Sequence, residues 1–562
     1  MAVIIETDDL RLIRQPSVTC FVKIEVMDKN EIIMNSLEGI ISGGSLNINA
    51  SSDIRRTLSF TVVPTRLQDI KVNEVSYIWL NKNLRMQVGI KDIRTENIKW
   101  WNQGYFVFTD TSGHYDSSQN TLQVNCADFM ALLDGTRNGN LGQLQTIIPA
   151  YEEDTDTGEV LSYNYIRDAM IYTVGQLGRI SQIQIDDIGE YKAIEDRNPT
   201  GYMEYREANP TWNCVPYDLE FSCGDTVLTI ITSLRDLYPN YEAFFNVNNT
   251  FVCQMKPSGY QDPVSLTNEQ IQSILLSQDT ENSSLSFAEV KNISEVWGEV
   301  IEADYYTESG VTYTNNVYNI PNSAYIDSTG ITEARYYNGD KIAFKVPVLN
   351  LANPSINIEN LGAIPIYDGE NLNRLAAGRL LPNRTYTFKI KRKYKDGVYD
   401  TRAIYLGQYQ PHAMTVLLSQ EHHDETYTTN TGVTVEKYSP EYFFELYDVS
   451  PQSLTRTINP DSPFTIEKIG SILQVEQRET CVSDDLALAQ SNYNNFVSTR
   501  LTDNITITTL LAPFLDVNIK VEYKPFNSDT VNQYIIDSIS HNFDQGTTSI
   551  TMHRFYPLYE WI

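Results

Sequence analysis

Gly43-Gly44-Ser45-Leu46-Asn47-Ile48-Asn49 and Arg55-Arg56-Thr57-Leu58-Ser59-Phe60-Thr61-Val62 alternate apolar and polar side chains. So do Leu515-Asp516-Val517-Asn518-Ile519-Lys520-Val521-Glu522-Tyr523 and Tyr534-Ile535-Ile536-Asp537-Ser538-Ile539, which lead to His553-Arg554-Phe555-Tyr556-Pro557. Period two is the signature of strands with one buried face. Both ends of the chain therefore read as β-domains.

At 562 residues the chain exceeds one hydrophobic core and implies roughly three to five domains. Abundant Tyr (36) and Phe (20), with many Thr, Asn and Ser, suit strands and turns better than helix bundles. The fold class expected is mainly β with an α+β middle. A net charge of −30 keeps the surface soluble and repels nucleic acid and anionic membrane. It is compatible with a pore through which DNA slides without sticking. The six cysteines form no C-x-x-C pair, so neither a zinc nor a redox motif is visible. Cys126 and Cys253 fall at apolar phases, and a Cys214–Cys223 pairing stays open. Met1 to Asp9 has no basic segment before an apolar run, so no signal peptide is expected, and no apolar stretch reaches membrane-spanning length.

Five segments follow from the patterning. Residues 1–138 read as a barrel-like β-domain, ending in a short helix from Ala127 to Leu133 with Gly135 as its stop. Residues 139–302 read as α+β. There Ile166, Met170, Val174 and Leu177 share a helical face, and Asp225 is placed to cap a second helix carrying Val227, Ile230, Ile231 and Leu234. Asn248-Asn249 turns a hairpin, and Thr267 with Gln270 forms a capping box. Residues 190–222 have no clear period and read as loop. Residues 303–412 read as an inserted sandwich-like β-module with a hairpin turn at Asp396-Gly397, 413–504 as a β/α connection, and 505–562 as a second barrel-like β-domain. In the connection, Ser483 is placed to cap a helix whose Asp484 and Asp485 suit its positive end.

Catalytic and metal patterns are weak. His422-His423-Asp424-Glu425 is the one ligand-type cluster, but neighbouring histidines on a strand face opposite ways, so it reads as a solvated loop. Asp154, Asp156, Gly158 and Glu159 resemble the opening of a calcium loop without its downstream Glu. No nucleophile elbow, zincin, Walker or dinucleotide pattern occurs. The expectation is no enzyme activity, no cofactor and no metal. Two features suit protein contacts. Lys389, Lys391 and Lys393 share one strand face, with Arg392 on the other, and read as a solvated edge or a contact for an acidic neighbour. Trp100-Trp101 reads as packing or as a protein anchor.

Gly104-Tyr-Phe-Val-Phe with Asn120 to Asp134, Gly224-Asp-Thr-Val-Leu with Tyr241 to Asn246, Phe287 to Gly298, and the C-terminal pattern resemble, in that order, the phage tail hub family. In that family a strand–turn–strand unit ends in a short acidic helix, a mixed domain follows, and a strand then returns to the barrel. Gly362-Ala-Ile-Pro-Ile and Gly378 resemble small β-modules of tail fibre and baseplate proteins. The resemblance implies a homotrimer whose six barrel-like domains match a six-fold tube, with a channel for DNA. It further implies a place at the tail tip or baseplate of a virion assembled in host cytoplasm. The partners it implies are the tail tube or distal tail ring, the spike, tip or tape-measure protein, and other baseplate proteins. It implies neither sequence-specific nucleic-acid binding nor membrane insertion. The module at 303–412 is expected to be dispensable for the ring. A carbohydrate-binding adhesin and a glycan-cleaving tail enzyme are the competing readings.

Overall fold

The structure is a computed structural model. It describes residues 5–555 except 37–40, 64–78, 110–113, 119–120, 143–144, 154–159, 187, 189–212, 258–262, 278–280, 322–334, 360, 369–372, 396–397, 421–425, 429–431, 433, 437–453 and 482–483. The acidic loop at Asp154–Glu159, the His422–Glu425 cluster, Asp396-Gly397 and Ser483 lie outside the described residues.

The chain is mainly β, and its two barrel-like ends are one sheet. Strand Ile41–Asn49 pairs antiparallel with Asn532–Asn542, from Ser45 opposite Asn542 to Asn49 opposite Ser538. The eleven-strand main path of this 14-stranded sheet begins at Asn282–Ser286 and continues through Thr502–Leu510, Thr547–Arg554, Asn532–Asn542, Ile41–Asn49 and Arg56–Val62. It ends through Thr121–Ala127, Ile98–Phe108, Asn83–Lys91, Cys20–Met27 and Ile33–Ser36. The period-two pattern is why the join works. Leu46, Ile48, Leu58 and Phe60 fall on the face that also buries Ile507, Ile536, Ile539 and Ile550, and both halves share one core. Removing such side chains from water supplies roughly 1.5–3 kcal/mol each. An N-terminal helix, Thr7–Ile13, packs Leu10, Leu12 and Ile13 into the same core. The sequence reading did not contain this helix, because its seven residues are too few to show a period.

His541 lies within the join, opposite Leu46. It is fully buried, with Nδ1 2.8 Å from the Thr548 hydroxyl. Burial pushes its imidazole down from 6.5 to about 4. The unfolded chain therefore binds a proton below pH 6.5 that the folded chain refuses. Stability is intact above 6.5 and is lost as pH falls towards 4, by up to about 3 kcal/mol. The expected result is a falling Tm of the wild type over that window and a flatter profile for His541→Gln. Parallel profiles would assign the acid sensitivity elsewhere.

The middle segment has its own core, built from Phe129, Met130, Ile166, Met170, Ile230, Leu234, Phe245 and Phe251. The short helix of the first domain is a 3-10 turn, Phe129–Leu132, capped by Asp128, which accepts from the Met130 N–H. Two local expectations are corrected. The helix Val227–Arg235 is capped by Thr226, whose hydroxyl accepts from the Thr229 N–H, while Asp225 accepts from the Ser222 N–H at 2.7 Å. Asp225 serves the preceding turn because it sits one residue too early. Residues 219–222, read as loop, form a strand paired with Gln145–Ile148, and Leu219 and Phe221 are buried. A four-residue strand is too short to betray its period. At the Asn248-Asn249 turn only Asn249 takes positive φ, at 61°. The Thr267–Gln270 capping box is complete.

Strand Ile293–Trp297, read as returning to the barrel, does not join it. It lies in a separate four-stranded sheet between His412–Leu418 and Leu473–Gln477, against the helix Asp484–Ser498. Asn282–Ser286 is the strand that joins the barrel, on Thr502–Leu510. Between Trp297 and its partner His412 leaves an eight-stranded sheet spanning Tyr305–Thr307 to Val398–Gln408. That unit's buried core comes entirely from residues 318–403.

Candidate assembly interface

Three parts of the chain meet at Arg55 and Arg56. A buried guanidinium must spend its donors on fixed acceptors or leave them costly. Arg56 donates through Nη1 to the Phe245 carbonyl at 2.6 Å and through Nη2 to Asp516 at 2.5 Å. Its backbone N–H donates to Asp128 at 2.9 Å, and the Asp128 N–H returns a bond to the Arg56 carbonyl at 3.0 Å. One side chain thus ties the N-terminal strands to the middle unit and to the C-terminal strands. Arg55 pairs with Glu242 and lies 3.5 Å from the centre of the Phe244 ring. Glu242 also accepts from Asn518 and, at 2.8 Å, from Gln254. Desolvation pushes the Asp128 carboxyl up to about 6 against the backbone donors that favour its charged form. Gln103 adds a bond to the Pro513 carbonyl at 2.8 Å.

Among the described residues the joined sheet is open: Ile33–Ser36 pairs only with Cys20–Met27, and Asn282–Ser286 only with Thr502–Leu510. Both edges carry exposed apolar residues, Ile32 at 63% and Met34 at 52% on one, Leu285 at 59% and Phe287 at 74% on the other. An edge strand offers a row of free N–H and C=O groups to another chain.

The candidate contact residues from the sequence lie elsewhere. Trp100 and Trp101 are both half-buried and face opposite ways, as neighbours on a strand must. Trp101 donates to Asp9 at 3.2 Å and packs near Phe514, so it holds the N-terminal helix and the C-terminal turn. Trp100 lies across Gly89, where a Cβ would come within 2.7 Å of its ring, and Lys23 sits 5.7 Å from that ring. The Lys389/Lys391/Lys393 face is only in part a solvated edge. Its strand, Thr385–Lys395, pairs with Val398–Gln408 along its length and with Lys341–Lys345 from Thr385 to Lys389. Lys391 is buried, and Lys389 and Lys393 are half-buried. Arg392 on the opposite face lies 4.0 Å from the centre of the Tyr399 ring. In the sequence Arg55-Arg56 presents only as part of a strand. The adjacent pair at the head of an apolar alternation was the available signal, because the phase puts Arg56 on the buried side.

All six cysteines are unpaired; Cys126, Cys214 and Cys253 are buried and Cys223 is exposed. No group of His, Cys, Asp and Glu among the described residues has the geometry to hold a metal ion.

Residues 461–559 match a family model described as a domain of unknown function, DUF5048. No curated protein matches the sequence. Over almost the whole chain the fold is similar to solved phage tail proteins. A tail protein from Neisseria meningitidis MC58 is 7% identical, with 96% of this chain and 98% of that one covered and a TM-score of 0.40. The 43 kDa tail protein of prophage MuSo2 from Shewanella oneidensis is 9% identical, with 95% and 98% covered and a TM-score of 0.39. Prophage tail protein gp18 from Listeria monocytogenes EGD-e is 8% identical, with 94% of each chain covered and a TM-score of 0.36.

Proposed function

We propose that this chain is a structural, non-catalytic hub of a phage tail or a related injection machine. Three copies form a ring that joins the tail tube to the spike or tip and leaves a channel for DNA. The observation that supports this most is the open sheet made from the two chain ends. Each copy offers two barrel-like halves, so three copies offer six, the number a six-fold tube requires. Among the described residues the two edges of the sheet are on different strands, and head-to-tail contacts of that kind close into rings when the rotation permits. Exposed Ile32, Met34, Leu285 and Phe287 give those edges an apolar reason to be covered. The Arg55–Arg56 clamp supports a rigid building block, which a load-carrying joint needs. A net charge of −30 suits a channel wall that lets DNA pass. On this reading the hub sits in the virion after assembly in host cytoplasm, and meets tube, tip and baseplate proteins.

The glycan-binding alternative is favoured by one feature, the exposed Tyr394 and Tyr399, whose ring centres lie 4.9 Å apart at a tilt of 60° near the end of the module hairpin. The hub reading is tested by native mass measurement of the assembled protein. Three copies are expected, and Leu285→Lys on the edge strand should leave the chain folded but unassembled. Six equal copies, or a wild type that stays monomeric at all concentrations, would overturn it.

A further inference from the structure

A cavity of about 230 Å³ opens where the turn after Ile41–Asn49, the middle unit and the connecting helix Asp484–Ser498 come together. Four cations line it, Arg55, Arg235, Lys256 and Arg478, in a chain whose net charge is −30. Three carboxylates, Asp53, Asp236 and Glu242, line it as well, so the lining carries one more cation than anions.

Most of these cations are partly matched. Arg235 holds Asp236 at 2.7 Å and Asp53 at 2.9 Å. Arg55 pairs with Glu242, and Arg478 stands 3.5 Å from Glu476. Lys256 has no carboxylate within ion-pair distance among the described residues. Its backbone is fixed, with N–H to the Asn240 carbonyl at 2.9 Å, and Asn240 holds the turn at φ 71°. Arg55 is nearly fully buried, and its Nε finds no acceptor. Burial lowers the Lys256 ammonium from its ordinary value. The buried Arg55 Nε without an acceptor costs stability unless an anion supplies one, and the half-buried Lys256 ammonium stands beside it in the lining.

We propose that this cavity binds a small oxyanion of the phosphate class, held by Lys256 with Arg55 and Arg478. A water takes about 30 Å³, so the space admits a four-oxygen anion with water beside it. The three cations come from chain segments far apart in sequence. An anion among them therefore locks the N-terminal turn, the middle unit and the connecting unit to one another. Hydrogen bonds from charged groups are worth about 1.5–3 kcal/mol each, so losing the Lys256 contact should weaken binding by at least about tenfold. This site is independent of the ring reading, since it lies within one chain.

The test uses the full chain and inorganic phosphate, titrated calorimetrically at constant ionic strength made up with sodium chloride. Saturable binding is expected for the wild type and for Lys29→Gln, an exposed site outside the cavity lining. Lys256→Gln should bind at least about tenfold more weakly, and Lys256→Arg should restore most of the affinity. A second measurement needs no variant. Reductive methylation of the wild type, mapped by mass spectrometry, should slow at Lys256 when phosphate is added and stay unchanged at Lys29. Absence of saturable binding, equal affinity of Lys256→Gln, or a methylation rate at Lys256 that ignores phosphate would each overturn the proposal.

Discussion

Arg56→Met is expected to lower the unfolding free energy of the joined end sheet by about 3–5 kcal/mol, the cost of removing one partner from a buried ion pair. Methionine fills much of the same space, so the loss is electrostatic rather than a cavity. The Phe245 carbonyl and Asp516 each lose the donor that Arg56 supplies. Asp128 keeps the Met130 N–H and the Arg56 backbone N–H, so the local 3-10 turn should survive. Calorimetry of the full chain distinguishes these outcomes. The transition that melts the end sheet should move down, while the transition of the eight-stranded module, which shares no core residue with it, should hold. A shift below about 1 kcal/mol would mean that Arg56 is compensated by water and does not clamp the three parts.

Gly298→Ala should be nearly as damaging, at the neck of the module. A Cβ there would fall 1.9 Å from the Cys481 carbonyl oxygen and 2.9 Å from Pro411 Cβ. Neither neighbour can retreat cheaply. The Cys481 carbonyl accepts from the Glu299 N–H at 3.3 Å, and the Gly298 N–H donates to Pro411 at 2.7 Å. Overpacking of this kind costs about 1–3 kcal/mol and more where backbone must move. The strain falls beside the stacked Trp297–His412 pair, whose ring centres are 3.6 Å apart. Expected results are a lower Tm for the four-stranded sheet and faster proteolysis between residues 298 and 411. Gly142→Ala, with open space around its Cβ, is the control and should change stability by less than about 0.5 kcal/mol. Equal Tm values for the two variants would show that the neck is loose.

Long elements are legible in the sequence, and short ones are legible only where a cap marks them. Strands of seven or more residues, such as Arg56–Val62 and Asn532–Asn542, show enough periods to declare which face is buried. Leu219–Ser222 and the helix Thr7–Ile13 do not. Caps followed the same rule. The Thr267–Gln270 box was legible because both halves are side chains at a set spacing. The choice between Asp225 and Thr226 was not, because either could cap and only the path of the preceding turn decides.

By itself the sequence determined that both ends are strands with one apolar face, that the middle mixes helix and hairpin, and that residues 303–412 carry their own turns. These are local properties, set by side-chain alternation and turn chemistry within a few residues. Tertiary structure alone decided that Ile41–Asn49 pairs with Asn532–Asn542, that Arg56 reaches Asp516, and that Lys391 is buried rather than solvated. Each of those depends on which distant surface supplies the partner. Alternation says that a face must be buried, and it cannot say against what.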